Sequence, residues 1–175
     1  MEYNITTCEK SSDNKYRFTL VQKGEKMLLV IGLNPSTADE LKPDQTMRKV
    51  MGFAEGHGYD GFVMLNLSAE RSTNPADMAQ NLDTEMHNRN LVAIRQVAGA
   101  YPVADVLVAF GDNVMTRAYL GKCFKDICAI LQTTDRRWWK IGEFTKAGNP
   151  RHPLHTAWQD FTELDIASYL KGFAL

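Results

Sequence analysis

Three polar loops in this sequence start where apolar runs stop, and they carry the side chains best suited to chemistry. The first is Gly32-Leu33-Asn34-Pro35-Ser36-Thr37-Ala38, which follows Met27-Leu28-Leu29-Val30-Ile31. Gly32 lets the backbone turn or approach a ligand closely. Asn34 offers both a hydrogen-bond donor and an acceptor. Pro35 fixes its own φ and holds Asn34 extended, and Ser36 and Thr37 are good helix caps. The second loop spans residues 66–71. Its Asn66 interrupts the apolar run Gly61-Phe62-Val63-Met64-Leu65, and Arg71 follows it. A buried Asn without a partner costs about 1–3 kcal/mol, so Asn66 either caps nearby backbone or waits for a ligand. The third loop is Gly148-Asn149-Pro150-Arg151-His152-Pro153-Leu154. Each has a structural alternative: an Asx turn at Asn34, a strand cap at Asn66 and a structural hydrogen bond at His152. The chemistry implied is hydrogen-bond recognition of a polar ligand in one pocket.

The elements around these loops must bring them together. The run at residues 27–31 reads as a strand buried on both faces. Residues 16–22 alternate apolar and polar, a half-buried strand. The turn at residues 23–25 predicts that it pairs antiparallel with residues 27–31. Asp44 caps a predicted helix over residues 46–55, whose Met47, Val50, Met51 and Ala54 form a core stripe. Strands follow at residues 61–67, 104–111 and 136–141. Helices are predicted from Asp83 or Thr84 to about residue 98, at 113–120, at 122–131 and from residue 155 or 156 to 170. Residues 1–15 read as irregular. Alternating strands and helices imply one α/β domain over residues 1–175, a three-layer α/β/α sandwich. Its central sheet is expected to be four-stranded and mainly parallel, with an added N-terminal antiparallel hairpin strand. Parallel strands deliver their following loops to one edge, where open α/β sheets bind ligands.

Composition narrows the class. The chain has 175 residues, 44% hydrophobic and 23% charged, with a net charge of −1. It therefore has no global basic footprint, and any nucleic-acid contact must come from a local patch. Cys8, Cys123 and Cys128 are scattered and odd in number, which favours free thiols in a reducing compartment. No apolar signal region opens the sequence and no run is long enough to span a bilayer. A cytoplasmic protein is expected, with no membrane association and no cofactor. His152 and His155 have metal-like spacing, but Pro153 disfavours one regular helical turn, so no metal is expected. Asp39 reads as a loop cap or a general base, Asp44 and Thr46 as helix caps, and His57 and His87 as solvent-facing. Arg136-Arg137-Trp138-Trp139-Lys140 reads as an edge strand alternating buried Trp with solvated Arg.

Gly32-Leu33-Asn34-Pro35-Ser36 resembles the Gly-x-Asn-Pro-Gly loop of the mismatch-specific branch of the uracil-DNA glycosylase superfamily. Met64-Leu65-Asn66 is similar to the strand whose terminal Asn reads the base there, and Arg151-His152-Pro153-Leu154 to the late His-Pro loop. The full set of motifs, including Gly-Leu-Asn-Pro-Ser-Thr-Ala-Asp and Gly-Asn-Pro-x-His-Pro-Leu, resembles a family of small uncharacterised bacterial and phage proteins. The resemblance implies a uracil-DNA-glycosylase-like fold and hydrolysis of an N-glycosidic bond to a uracil-like or modified base. It implies that Asn34 positions water and that His152 stabilises charge on the departing base. Asn66 would read the base edge. Gly32, Pro35 and Ser36 would line the site, and Phe53, Phe62 and Phe110 are candidates to stack on the base. Arg71, Lys146 and Arg151 would meet phosphates and Leu154 would wedge into the gap left by a flipped base. The implied partner is DNA or a nucleotide. A non-catalytic nucleic-acid or nucleotide binder is the alternative. Ser36 stands where the superfamily loop has Gly, and no Ser-Pro follows the His-Pro pair.

Overall fold

The computed structural model describes residues 1–173. The apolar run that opens the first loop forms a central strand, β3 (Met27–Gly32). Leu28 and Val30 point to one face of the sheet and Leu29 and Ile31 to the other, and all four are fully buried. This fits a strand covered on both sides. Three further strands run parallel to it: β4 (Gly61–Asn66), β5 (Asp105–Val108) and β6 (Arg137–Ile141). Helix α1 (Gln45–Gly56) covers the face of Leu28 and Val30 with Met47, Val50, Met51, Phe53 and Ala54. Helices α2 (Thr84–Ala100), α3 (Tyr119–Leu131) and the short α4 (Ile166–Gly172) pack on the other face. Asp44 caps α1 by accepting from the Met47 N–H at 2.8 Å, and Asp83 caps α2 from Met86 N–H at 3.0 Å.

The sheet is larger and more mixed than expected. The four-stranded, mainly parallel sheet is corrected to seven strands in the order β1-β2-β4-β3-β5-β6-β7. Three of its pairings are parallel and three antiparallel. β1 (Thr7–Lys10) falls in the stretch expected to be irregular and pairs with β2 (Arg17–Gln22). β2 in turn pairs with β4 and not with β3, so the expected hairpin does not form. The cause lies at Gly24, whose backbone lies against Asp60 and Gly61. A Cβ there would stand 2.4 Å from Asp60 Oδ1 and 2.6 Å from Gly61 N. The Asp60 carboxylate accepts from the N–H groups of Glu25 and Lys26 at 3.1 and 2.7 Å. The chain hooks around Asp60, which sends β2 to the far side of β4.

The C-terminal region departs most. No helix runs from residue 155 to 170. A 3₁₀ turn (Pro153–His155) gives way to β7 (Phe161–Glu163), which pairs antiparallel with β6, and Asp165 caps α4. β6 is therefore not an edge strand. Trp138 is buried as expected, but so is Lys140, which donates to Gly142 O and Thr162 Oγ1 at 2.6 Å each. His57 and His87 are not solvent-facing. His57 bonds Phe53 O through Nδ1 at 2.8 Å and accepts the Phe161 N–H at Nε2. Its ring stacks on Phe161 at 3.7 Å. His87 Nε2 bonds the Asp126 carboxylate at 2.8 Å. The three cysteines are free thiols.

The crossing at Gly24 generates a test. Gly24→Ala forces backbone apart at Asp60–Gly61 and should destabilise the protein by about 1–3 kcal/mol in urea denaturation. Lys23→Ala, beside it, should change stability by less than about 0.5 kcal/mol.

Candidate functional site at the carboxyl edge of the sheet

The four parallel strands stand in the order β4-β3-β5-β6, so successive connections leave β3 in opposite directions. The crevice beyond the carboxyl ends at such a reversal is where open α/β sheets hold ligands. Here it contains a cavity of about 30 Å³ lined by Gly32 and Asn34 after β3, Asn66 at the end of β4, Ala109 after β5, and His152. Asn34, Ser36, Asp44, Thr46 and His152 also line a polar outer cleft of about 600 Å³. Leu154 and Asp39 stand in that cleft, as do the exposed cations Lys42 and Arg48. The inner space holds about a water's volume, whereas the cleft has the size of a small-molecule site.

Each of the three central side chains has a defined hydrogen-bonding valence. Asn34 Nδ2 donates to Pro35 O at 2.9 Å and to Ser72 O at 2.8 Å. The amide thereby ties the loop after β3 to the loop after β4. Its Oδ1 accepts from no described residue, which leaves an acceptor. Asn66 is 1% exposed, and its Oδ1 accepts from Arg17 Nη2 at 3.1 Å while its Nδ2 has no partner. Gly32 is required beside it, since a Cβ there would lie 2.9 Å from Asn66 Nδ2 and 2.5 Å from Met64 Cε. Asn90 Nδ2 donates to the Asn66 carbonyl and secures the strand end.

His152 is held by glycine. Gly111, after β5, has φ +70° and donates its N–H to Pro150 O at 3.0 Å. A Cβ on Gly111 would lie 2.7 Å from His152 Cβ, so the late loop can sit against the end of β5 only because Gly111 has none. His152 Nδ1 accepts the Leu154 N–H at 3.2 Å, which assigns the Nε2–H tautomer to the neutral ring. Burial, then the neighbouring His155, push its pKa down to about 4, against a smaller upward effect of Asp44. At neutral pH His152 is an uncharged donor and not a base.

The remaining expected site residues divide. Pro35 is buried, and its carbonyl accepts from Ser72 N–H at 2.9 Å. Arg71 does not face the cleft as a phosphate ligand. Its Nη1 donates inward to Ser36 O at 2.7 Å and Ala38 O at 3.2 Å. Arg151 is likewise a loop brace, donating to Glu143 O at 2.8 Å. Lys146 is exposed and lines neither space. Phe53, Phe62 and Phe110 are all buried, and no Phe, Tyr or Trp lines either space, whose only aromatic rings are the imidazoles of His152 and His155. Asp39 accepts from the N–H groups of Leu41 and Lys42, the cap role.

Arg17 is the site residue that sequence reasoning missed. It is 2% exposed, lines the inner cavity, and donates to Ala38 O at 2.9 Å as well as to Asn66. Burial, then the nearby Arg71, push its pKa down to about 10, with Asp44 opposing, so it stays charged at neutral pH. Nothing in the alternation of residues 16–22 marks it, because alternation implies one solvated face whereas every residue of β2 is buried. Among the described residues, no group of three or more His, Cys, Asp or Glu is placed to hold a metal ion. No helix is long and apolar enough to cross a membrane.

The family described as Protein of unknown function (DUF1643) matches residues 17–154, and the chain belongs to it. The match begins at Arg17 and ends at Leu154, and it encloses every residue that lines the inner cavity. No curated protein matches. Among solved structures, the chain is similar to that described as "Crystal Structure of TesA", at 18% identity and a TM-score of 0.37. That likeness covers 65% of this chain and 58% of the other, less than two thirds of its length.

Two outcomes follow for His152. In side-chain ¹⁵N NMR its ring should show the Nε2–H tautomer at pH 7 and become charged only near pH 4. Because its folded pKa lies below the unfolded value of about 6.5, the unfolded chain takes up the proton first. Stability should therefore fall as pH drops from about 6.5 towards 4, and His152→Gln should remove that part of the slope.

Proposed function

We propose that the carboxyl-edge cleft binds a uracil-like or modified base and hydrolyses its N-glycosidic bond, in DNA or in a nucleotide. The observation that carries this reading is the meeting of Asn34, Asn66 and His152 at one cavity with complementary valences. Breaking an N-glycosidic bond puts positive charge on the sugar and negative charge on the departing base. Asn34 offers Oδ1 to orient an attacking water, with its Nδ2 anchored by two carbonyls. An amide is a poor base, so this contribution is positional. His152 supplies a neutral Nε2–H donor to the base oxygen on which charge accumulates, an oxyanion-type stabilisation. Asn66 presents Nδ2 as a donor, and its Oδ1 keeps a second lone pair beside the Arg17 bond, so the amide can meet a donor–acceptor edge. The motif resemblance to the uracil-DNA glycosylase superfamily supports the same assignment. Lys42 and Arg48 at the cleft's surface are the groups placed to meet phosphates, in place of Arg71 and Arg151.

A second reading, a non-catalytic nucleotide binder, is favoured by two observations. No Phe, Tyr or Trp lines the cleft to stack on a base, and the inner cavity has only about 30 Å³. It predicts ligand binding with no base release.

Base release separates the two. Incubation with single- and double-stranded oligonucleotides and free nucleotides carrying uracil, hypoxanthine or xanthine should yield free base and an abasic product. His152→Ala should slow the reaction about 10²–10³-fold, the loss of one oxyanion donor. Asn34→Ala should slow it as well, while Arg151→Ala should leave the rate within about threefold. Binding without release in the wild type would establish the second reading.

A further inference from the structure

Two guanidinium groups lie together under the loop after β3, and neither forms an ion pair among the described residues. Arg17 and Arg71 both donate to the Ala38 carbonyl, and Arg71 also to Ser36 O. All their described acceptors are neutral: the backbone carbonyls of Ser36 and Ala38, with Asn66 Oδ1. Buried charge is ordinarily matched by a carboxylate or fully hydrogen-bonded. Here Arg17 Nε, Arg71 Nε and Arg71 Nη2 are buried without any partner, and so is Asn66 Nδ2. Four unpaired donors in one neighbourhood, three of them on the two guanidiniums, describe a place that lacks an acceptor. Asp44 is the carboxylate on the same cavity, but its two oxygens accept from Met47 N–H and Ala38 N–H, at 2.8 and 3.3 Å. His152, the other titratable lining group, is neutral.

We propose that the inner end of the cleft is an anion subsite, in which Arg17 Nε and Asn66 Nδ2 receive an anionic oxygen of a carboxylate or phosphate while Arg71 adds a second positive charge. Arg17 is 2% and Asn66 1% exposed, and both line the cavity. A volume of about 30 Å³ suits one oxygen, with the rest of the anion in the adjoining cleft. Charge-assisted bonds to guanidinium are the strong class of hydrogen bond, and the surrounding apolar side chains Val30, Met64 and Val50 strengthen them further. The anion is either a small free ion, carboxylate or phosphate, or a carboxylate carried by the cleft's ligand. The subsite rests on the buried donors alone and not on the glycosidic reading. Asn66 Nδ2 has two unpaired hydrogens, so it can serve an anion and a base edge together.

The experiment is a thermal-melt titration at matched ionic strength, with formate, inorganic phosphate, uracil and uracil-6-carboxylate as probes. The wild type should show a saturable rise of roughly 5–10 °C at a hundredfold excess over Kd for at least one anion. Formate or phosphate acting alone identifies a free ion. Uracil-6-carboxylate binding about tenfold or more tightly than uracil, with no response to the free ions, identifies a ligand-borne group. Asn66→Asp is the second arm. It places a carboxylate about where Arg17 Nη2 now meets Asn66 Oδ1 at 3.1 Å. It should raise the melting temperature in anion-free buffer by about 2–4 °C and abolish the anion response. A lower melting temperature for Asn66→Asp, or no saturable anion shift in the wild type, overturns the subsite. A uracil shift equal to that of its carboxylate, with no response to free anions, overturns the subsite and leaves the cleft reading standing. An anion response without any uracil response does the reverse.

Discussion

The carbonyl oxygen of Ala38 receives two guanidinium groups, Arg17 from β2 and Arg71 from the loop after β4. That meeting fixes the carboxyl edge of the sheet. The loop of residues 34–38 is then held at four of its five residues: Asn34 to Ser72 O, Pro35 O by Ser72 N–H, Ser36 O by Arg71, and the Ala38 N–H by Asp44. The same Arg17 reaches Asn66, so one side chain orients both the loop after β3 and the amide at the end of β4. Only arginine has enough donors in a rigid fork to do this. A ligand group facing the cleft therefore meets an acceptor on Asn34 and a donor on Asn66 whose positions are set before it arrives.

Glycine makes the arrangement sterically feasible. Gly32 leaves room for the Asn66 amide, and Gly111 leaves room for His152. Without these two absences of Cβ, the side chains from three strand ends could not share one cavity. The electrostatics are asymmetric across it. Two cations lie on the inner side, while the imidazole on the outer side is kept neutral by burial. Negative charge developing or arriving in the cavity is favoured by the two guanidiniums, against the Asp44 carboxylate, without a charged histidine.

Much of this edge was legible in the sequence, because it depended on local rules. An apolar run ending at Gly32 forms a buried strand, and Asp44 and Asp83 cap helices through their own backbone neighbourhoods. The loops at Asn34, Asn66 and His152 leave parallel strands and meet as parallel topology requires. What was not legible depended on non-local pairing. The turn at residues 23–25 has hairpin length, yet the packing of Gly24 on Asp60–Gly61 carries β2 across to β4. That exchange buries both faces of β2 and turns Arg17 from an unremarkable strand residue into the centre of the site. A single helix was expected from residue 155 or 156 to 170. The edge of β6 instead took up Phe161–Glu163 as β7, with Trp158 stacked on Phe53 at 5.3 Å. The resemblance implied that Arg71 and Arg151 would meet phosphates. Both found backbone carbonyls instead.

The central claim is that ligand recognition takes place at Asn34, Asn66 and His152. A larger cavity of about 720 Å³ lies elsewhere, beside Phe144 and Tyr169, and provides the internal comparison. The direct measurement is an NMR titration with 2′-deoxyuridine that follows the side-chain amides of Asn34 and Asn66 and the His152 ring. The account predicts that the Asn66 amide protons and the His152 Nε2–H shift together and saturate at one concentration. Saturable shifts confined to residues around Phe144 and Tyr169, with Asn66 and His152 unmoved, would contradict it.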